Sequence, residues 1–157
     1  MLFICAANTA RSVMAHHILH RELNARGLGD RVQVKSAGIA PYARDGAMVS
    51  LDTRLVLRSD GIAMGEEATS TDLKRHPEML EEADLVIAMT DAQARQLLEN
   101  FPLAASRPVF TLRSFAGEQG DIDDPAEQGD QVFTECYQEI KRLIPLMTQR
   151  LLEDPAA

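Results

Sequence analysis

The chain has 157 residues, of which 45% are hydrophobic and 25% charged, and its formal net charge is −8. These values are typical of one globular domain with its own core. The negative balance argues against nucleic acid or an anionic membrane as the main partner. No apolar run is long enough to cross a bilayer, and Met1 leads straight into strand-like residues, so we expect neither a membrane span nor a secretion signal. Two cysteines cannot form a disulfide framework. We therefore expect a cytoplasmic protein that binds neither nucleic acid nor membrane.

Short apolar runs with the composition of strands recur along the chain. They are LFIC at 2–5, the alternating RVQVKS at 31–36, DLVIAM at 84–89 and PVFTL at 108–112. The run DLVIAM is almost entirely apolar, a pattern typical of a parallel strand that is covered on both faces.

Amphipathic stretches between these runs predict helices. The first helix is expected to end near Arg26, with Gly27 as its C-cap, and the second to extend from Met48 to Leu57. A third helix is expected to begin at a candidate N-cap, Thr90 or Asp91. The last helix presents an apolar face made of Phe133, Cys136, Ile140, Ile144, Met147 and Leu151, and Pro145 is expected to kink or interrupt it.

Strands and helices that alternate from end to end predict an α/β fold. We expect residues 1–157 to form one domain, a central four-stranded parallel sheet flanked by helices, with the last few residues disordered. Such sheets bind ligands at the carboxyl ends of their strands.

The segment CAANTARS, residues 5–12 and here called the cysteine loop, lies at the carboxyl end of the first predicted strand and leads into the first helix. A loop in that position directs several backbone N–H groups at one point, and the helix dipole adds partial positive charge. The small residues Ala6, Ala7 and Ala10 allow the backbone to wrap closely around a tetrahedral anion. Arg11 offers a planar fork for two phosphate oxygens. The sequence therefore predicts a phosphate-binding loop after strand 1.

Cys5 begins this loop, where a helix N-terminus and a nearby cation stabilise a thiolate. The spacing Cys-x5-Arg thus holds a nucleophile beneath a bound phosphoryl group, and it differs from the nucleotide P-loop because no Gly-Lys-Ser/Thr follows. The competing interpretation is a buried cysteine beside a surface arginine. Two neighbours favour the nucleophile: Ser12 can hydrogen-bond the thiolate, and Asn8 tolerates the left-handed backbone of a tight loop.

The stretch LFICAANTARSVMA resembles the amino-terminal signature of the low-molecular-weight protein tyrosine phosphatases, Cys-x-Gly-Asn-x-Cys-Arg-Ser-Pro-Met-Ala. The resemblance continues, in the family's order, through VKSAG, ADLVIAMT, PVFTL and GDIDDP, and so covers nearly the whole chain. It implies the family's α/β fold and a phosphatase that hydrolyses phosphotyrosine in proteins.

The resemblance also implies roles for matching residues. Cys5 is the nucleophile, Arg11 binds the phosphoryl oxygens and Asp124 is the general acid. Asp121 and Asp123 are alternatives for the acid, but the proline that follows singles out Asp124.

Other matching residues are expected to shape the site. Asn8, Ser12 and Ser36 would hold the loop open and tune the thiolate. The expected substrate and phosphate contacts are Ala6, Ala7, Asn8, Thr9, Ala10, Ser12 and Tyr42.

The mechanism implied is an in-line attack of Cys5 on phosphorus, with Arg11 and the loop amides on the equatorial oxygens. Asp124 would protonate the leaving group and then activate the water that hydrolyses the phosphocysteine. Neither a metal nor another cofactor is expected. The expected partners are a phosphorylated protein and, in the loop, inorganic phosphate or a similar oxyanion.

Several positions depart from the family pattern. Ala7 replaces a glycine and would be strained if the position needs a positive φ. Ala10 replaces a second cysteine that in many relatives traps an oxidised nucleophile as a disulfide. Cys136 is not expected to substitute for it, because it falls on the apolar face of the last helix. Ala126 removes one aromatic wall of the cleft, and Tyr42 supplies the opposite wall unless it is merely a surface tyrosine.

Thr9 bears on the substrate. Tyrosine-specific relatives often carry an apolar Ile at this position, whereas relatives that act on phosphoarginine resemble this chain in carrying Thr. Thr9 and Ala126 therefore favour phosphoarginine, and Tyr42 favours phosphotyrosine. Phosphotyrosine is the family default and phosphoarginine the alternative.

Two further classes of function rank lower than a protein phosphatase. An arsenate reductase would need more cysteines than Cys136 to relay a disulfide. A catalytically silent phosphate-binding module would have no reason to keep Asp124.

Overall fold

The centre of the protein is a sheet of four short strands. The structure, a computed structural model, describes residues 1–153. The strands are β1 (Leu2–Cys5), β2 (Lys35–Gly38), β3 (Val86–Ala88) and β4 (Val109–Thr111). All neighbours pair in parallel, in the order β2-β1-β3-β4. The predicted four-stranded parallel sheet is confirmed, whereas the expected disorder of the last few residues lies outside the described residues.

Helices cover both faces of this sheet. They are α1 (Arg11–Ala25), α2 (Leu51–Ser59), α3 (Glu78–Glu82), α4 (Asp91–Asn100), α5 (Leu112–Phe115) and α6 (Asp130–Glu153), and two short 3-10 helices occupy Leu73–Arg75 and Pro102–Ser106. Within residues 1–153, none of the helices combines the length and the apolar character that a bilayer span requires.

The alternation of side chains along β1 divides the core in two. Phe3 and Cys5 belong to the larger cluster, which includes residues of α1 and α6. Leu2 and Ile4 belong to a second cluster, which includes residues of α3 and α4. Both faces of β1 and β3 are therefore buried, as the apolar composition of these strands predicted.

The predicted strand at 31–36 is wrong in its position. β2 begins at Lys35 because its register is set by pairing with β1, where Leu2 lies opposite Lys35 and Cys5 opposite Gly38. The alternation of Val32 and Val34 suggested the earlier start; in the structure Val34 belongs to the larger core cluster and Val32 packs against it.

Helix boundaries follow the capping residues. Gly27 follows α1 with a φ of 72°, the left-handed conformation expected of its C-cap role. Thr90 caps α4 by accepting the Gln93 N–H, as predicted. The second helix begins at Leu51 rather than Met48, because the Ser50 side chain caps its first turn.

The expected interruption of the last helix is wrong. α6 continues through Pro145. Proline has no N–H to donate to the backbone carbonyl one turn earlier, but Pro145 is exposed, so water can bond that carbonyl instead. Ile144 and Met147, on either side of it, are fully buried. Packing of this face outweighs the local cost of the proline.

The sheet order fixes the place of the cysteine loop. The chain crosses from β1 to β2 on one side and later places β3 on the other side, so β1 borders the point where the strand order reverses. Cys5 is the last residue of β1. The cysteine loop therefore opens at the crevice where α/β sheets bind ligands.

Candidate active site

The backbone of the cysteine loop is fastened from outside through its carbonyl groups. Ala40 donates its N–H to the Ala6 carbonyl (3.0 Å), and Ser50 donates to that of Thr9 (3.1 Å). The N–H groups of residues 7–10, by contrast, donate no hydrogen bond to any other described residue. Partly buried N–H groups without a partner at a helix N-terminus form a cup for an anion.

Asn8 holds the shape of this cup. It has a φ of 59°, the left-handed conformation that asparagine tolerates, and it is only 2% exposed. Its side-chain oxygen accepts the Thr71 N–H (2.9 Å), and its amide nitrogen donates to Ser12 Oγ (2.8 Å). Ala7 does not have a positive φ, so its replacement of glycine causes no backbone strain.

Cys5 and Ser12, the first and last residues of the cysteine loop, are in contact through their side chains. The Cys5 Sγ lies 2.9 Å from Ser12 Oγ, and both residues are buried. Because the Asn8 amide donates to the same hydroxyl oxygen, the Ser12 hydrogen is left to point at sulfur. The Ser12 hydroxyl can therefore donate a hydrogen bond to the Cys5 sulfur.

Arg11 connects the cysteine loop to the segment 121–129, here called the acid loop. Its guanidinium is almost buried and donates to the Ile122 carbonyl (2.8 Å). The same guanidinium lies 4.0 Å from the Asp124 carboxylate. Residues that are far apart in sequence thus meet at the Arg11 guanidinium.

The three acidic candidates of the acid loop have different surroundings. Asp124 is exposed, and its carboxylate accepts the Ala126 N–H (3.0 Å) while facing Arg11. The Asp121 carboxylate instead accepts the Asp91 N–H at the start of α4 (2.8 Å). Asp123 is contacted through its backbone carbonyl, by the Cys136 thiol. The geometry therefore brings Asp124, among the three, to the guanidinium.

Ser36 lies beside α1 rather than in the cup. Its hydroxyl is 3.0 Å from Nδ1 of His16, so it supports the cysteine loop only indirectly, through the helix that follows. Burial lowers the pKa of His16 to about 4, and the neighbouring His17 and His20 act in the same direction. His16 is therefore neutral at physiological pH.

Tyr42 is 70% exposed on the segment after β2. This segment is fixed by its neighbours: Lys74 Nζ donates to the Ala40 carbonyl (2.6 Å), and His76 bonds the Asp45 carboxylate (2.8 Å). The bond from Asp45 raises the pKa of His76. Tyr42 itself takes part in none of the hydrogen bonds among the described residues that hold the cup.

Two residues that support the cysteine loop, Gly38 and Thr53, were not predicted from the sequence. A Cβ on Gly38 would lie 2.8 Å from both the Ala6 oxygen and the Ala7 carbonyl carbon, so only glycine permits β2 to approach the loop. The fully buried Thr53 donates its hydroxyl to the Thr9 carbonyl (2.9 Å). The SAG motif could have pointed to Gly38, whereas no local signal connects Thr53 to a partner 44 residues away.

Comparison with known proteins places this chain in a family. The sequence profile described as low molecular weight phosphotyrosine protein phosphatase matches residues 1–156. The chain belongs to this family.

Individual relatives and structures agree with that assignment. The chain is 35% identical to a protein-arginine-phosphatase of Geobacillus stearothermophilus, over 96% of this chain and 95% of the relative. It is 32% identical to low molecular weight protein-tyrosine phosphatase A of Mycobacterium bovis, over 91% and 85%. A solved structure of the arginine phosphatase YwlE, a Cys-to-Ser mutant with a phosphorylated active-site serine, matches with a TM-score of 0.87 at 28% identity, covering 98% and 95%.

This low molecular weight phosphatase is therefore a cysteine-dependent hydrolase that acts on phosphorylated protein. Its second thiol, Cys136, lies on α6 and packs against the larger core cluster, as predicted, but it is only partly buried. Its Sγ reaches the Asp123 carbonyl at 4.0 Å. Burial raises the pKa of the Cys136 thiol to about 11, so this thiol remains protonated and unreactive at neutral pH.

Proposed function

We propose that Cys5, Arg11 and Asp124 hydrolyse a phosphate monoester on protein through a phosphocysteine intermediate. One observation carries the proposal: the N–H groups of residues 7–10 have no hydrogen-bond partner among the described residues, and the Cys5 sulfur at the start of the same loop has the Ser12 hydroxyl 2.9 Å away. Four fixed donors and one guanidinium match the charge that develops on a transferring phosphoryl group. A buried structural cysteine would need none of them.

In the first step, the Cys5 thiolate attacks phosphorus, so that an S–P bond forms and the bond from phosphorus to the substrate oxygen breaks. Arg11 turns its guanidinium to the equatorial oxygens. Asp124 gives its proton to the departing oxygen. The phosphorylated active-site serine in the YwlE mutant structure supports phosphoryl transfer to the matching position here.

In the second step, water attacks the phosphocysteine. The Asp124 carboxylate takes one proton from the water, the new O–P bond forms, and the S–P bond breaks to regenerate the thiolate. The product, inorganic phosphate, is the oxyanion that we propose for the cup. The exposure of Asp124 supports both roles, because the side chain is open to a leaving group and to water.

For the substrate, we propose phosphotyrosine, in keeping with the description of the family. Exposed Tyr42 supports this choice, since an aromatic wall beside the cup would stack against a phenyl ring. We propose the cytoplasm as the site of action, because a nucleophilic thiol needs the reducing conditions that keep cysteine unpaired.

Phosphoarginine is the second candidate. It is favoured by Thr9, whose hydroxyl can meet a polar guanidinium, and by the arginine phosphatase that is 35% identical. The chemistry would differ in one respect: the bond that breaks is P–N, and the Asp124 proton goes to nitrogen.

The catalytic proposal is tested by steady-state hydrolysis of an aryl phosphate. Cys5→Ser is expected to abolish turnover, whereas Cys136→Ser, the matched change at the other thiol, retains it. Trapping the intermediate by acid quench should label Cys5 with phosphate. Wild-type turnover that survives in Cys5→Ser would overturn the assignment.

The substrate is tested with phosphotyrosine and phosphoarginine peptides of the same sequence. Thr9→Val removes the hydroxyl with little change of shape, and Thr9→Ile adds apolar surface. If Thr9 selects the substrate, both variants lower the ratio of kcat/KM for phosphoarginine over phosphotyrosine, Thr9→Ile more than Thr9→Val. An unchanged ratio in both variants would exclude Thr9 as the selector.

A further inference from the structure

A groove of about 240 Å³ lies between α2 and the first turn of α6. Its floor is apolar, formed by Leu55, Val56 and Phe133, and two carboxylates, Asp52 and Asp130, line it as well. We call it the α2–α6 groove. Leu55 is 53% exposed although it is a large apolar side chain.

The groove follows α2 from Asp52 in its first turn to Ser59 at its end, beside the first turn of α6. Asp60, which follows α2, accepts hydrogen bonds from Tyr137 and from Lys141 Nζ (2.9 Å), both on α6. The two helices therefore pack against each other. Ser50, the cap of α2, bonds the Thr9 carbonyl in the cysteine loop, and α6 begins directly after the acid loop. The elements that line the groove thus adjoin both loops, so a residue near the phosphorylated one in a protein substrate can reach it.

The two carboxylates give the groove a charge that its surroundings do not neutralise. Neither Asp52 nor Asp130 forms a hydrogen bond or ion pair through its carboxylate with another residue in 1–153. Each lies in the first turn of its helix, where the dipole contributes roughly half a positive charge. A full negative charge on each aspartate outweighs that contribution, so the rim remains negative.

We propose that the α2–α6 groove binds a lysine or arginine side chain of the protein substrate, close in space to the phosphorylated residue. The inference rests on the proposed function of the neighbouring cup. Basic side chains combine a long aliphatic stem with a cationic end, so the stem packs on Leu55, Val56 and Phe133 while the cation meets Asp52 and Asp130. The groove thus selects substrates by a residue that is not itself phosphorylated.

The test uses phosphopeptides that differ at one position, which is moved stepwise along the peptide on either side of the phosphorylated residue. At that position the peptides carry Lys, norleucine or Glu, and kcat/KM is measured for each. At the best position, we expect about a tenfold preference for Lys over Glu, the size expected for two partly exposed ion pairs. The Asp52→Asn/Asp130→Asn double variant is expected to reduce this preference to about twofold or less.

The matched control removes two charges elsewhere. Asp30→Asn/Glu99→Gln changes the net charge equally at exposed positions outside the groove and is expected to keep the full preference. A preference that persists in the groove variant, or a norleucine peptide as good as the Lys peptide, would overturn the proposal and, in the second case, indicate an apolar occupant.

Hydrolysis of a small aryl phosphate distinguishes failure of the groove proposal from failure of the catalytic proposal. This substrate does not reach the groove, so its hydrolysis is expected to be equal in wild type and in both double variants. If it is hydrolysed but peptides show no charge preference, the groove proposal fails while the catalytic proposal stands. If it is not hydrolysed at all, the catalytic proposal fails, and the groove proposal fails with it.

Discussion

The cysteine loop and the acid loop meet at Arg11, yet different parts of the chain hold them. The cysteine loop is held by hydrogen bonds from three other segments: Ala40 after β2, Thr53 in α2 and Thr71. Asp124 in the acid loop is held mostly by its own neighbours, since its side chain and carbonyl bond Ala126 and Gln128.

This difference corresponds to two chemical tasks. Stabilising a phosphoryl group requires donors that are already in place, because any rearrangement would cost the energy that catalysis needs. Proton transfer requires only that a carboxylate reach the leaving group and later a water. The comparison therefore predicts that changes behind the cysteine loop impair all substrates equally, whereas changes in the acid loop depend on the leaving group.

The largest effect is expected from Asp124→Asn, which keeps the shape of the side chain and removes its proton. The expected loss of kcat is about 10³-fold for phenyl phosphate, within the range of a well-placed general acid, and much smaller for p-nitrophenyl phosphate, whose leaving group needs little help. Asp121→Asn is the matched control, because its carboxylate caps α4 instead. Equal losses on both substrates would contradict the assignment of Asp124 as the acid.

Gly38→Ala should have the next largest effect. The added Cβ would lie 2.8 Å from backbone atoms of Ala6 and Ala7, so the cup must widen or shift. We expect kcat/KM to fall about 30- to 100-fold on both aryl phosphates alike, because misplaced donors cost a few kcal/mol. Phosphate inhibition should weaken in parallel.

The control for Gly38→Ala is Gly65→Ala. There the new Cβ would meet only the flexible end of the Glu67 side chain. Unaltered phosphate binding in Gly38→Ala would show that the cup does not depend on this close approach.

A smaller effect is expected from Thr53→Val, which preserves shape but removes the hydroxyl that donates to the Thr9 carbonyl. Ser50 N–H remains as a partner, so we expect about a fivefold loss in kcat/KM and a fall of about 1 kcal/mol in the free energy of unfolding. Thr148→Val removes an equally buried hydroxyl that donates to the Ile144 carbonyl in α6. That control should lose similar stability but no activity; if it loses activity as well, Thr53 acts only through general stability.

The smallest effect on catalysis is expected from His16→Gln, because His16 contributes to the pH dependence of the free energy of unfolding rather than to the reaction. Burial lowers its pKa to about 4 in the folded protein, from the usual 6.5. Between these two pH values His16 therefore binds a proton in the unfolded chain but not in the folded protein. Stability should therefore fall as the pH decreases from about 6.5 to 4, by up to about 3 kcal/mol. Denaturant unfolding at several pH values should show this contribution vanish in His16→Gln and persist in His20→Gln.

The parts of the structure that the sequence predicted well are those that depend on neighbouring residues. The apolar runs located β1, β3 and β4, and the caps Thr90 and Gly27 located helix ends. The left-handed turn at Asn8 was also foreseen, because the tight loop demands it and asparagine tolerates it.

The parts that were missed depend on distant partners. The position of β2 is decided by its register with β1, and the bond from Arg11 to the Ile122 carbonyl joins residues 111 apart. Pro145 remains helical because buried neighbours in α6 outweigh its local preference. Neither composition nor periodicity carries information about such contacts.

The protonated state of Cys136 has a practical consequence. With a pKa of about 11, only about one Cys136 in 10⁴ is ionised at pH 7, so an alkylating reagent under neutral conditions leaves it intact. Covalent labelling of the native enzyme would then count Cys5 alone, and added phosphate should protect it. Mass spectrometry of the alkylated wild-type protein thus measures the fraction of competent molecules in a preparation without prior removal of the second thiol.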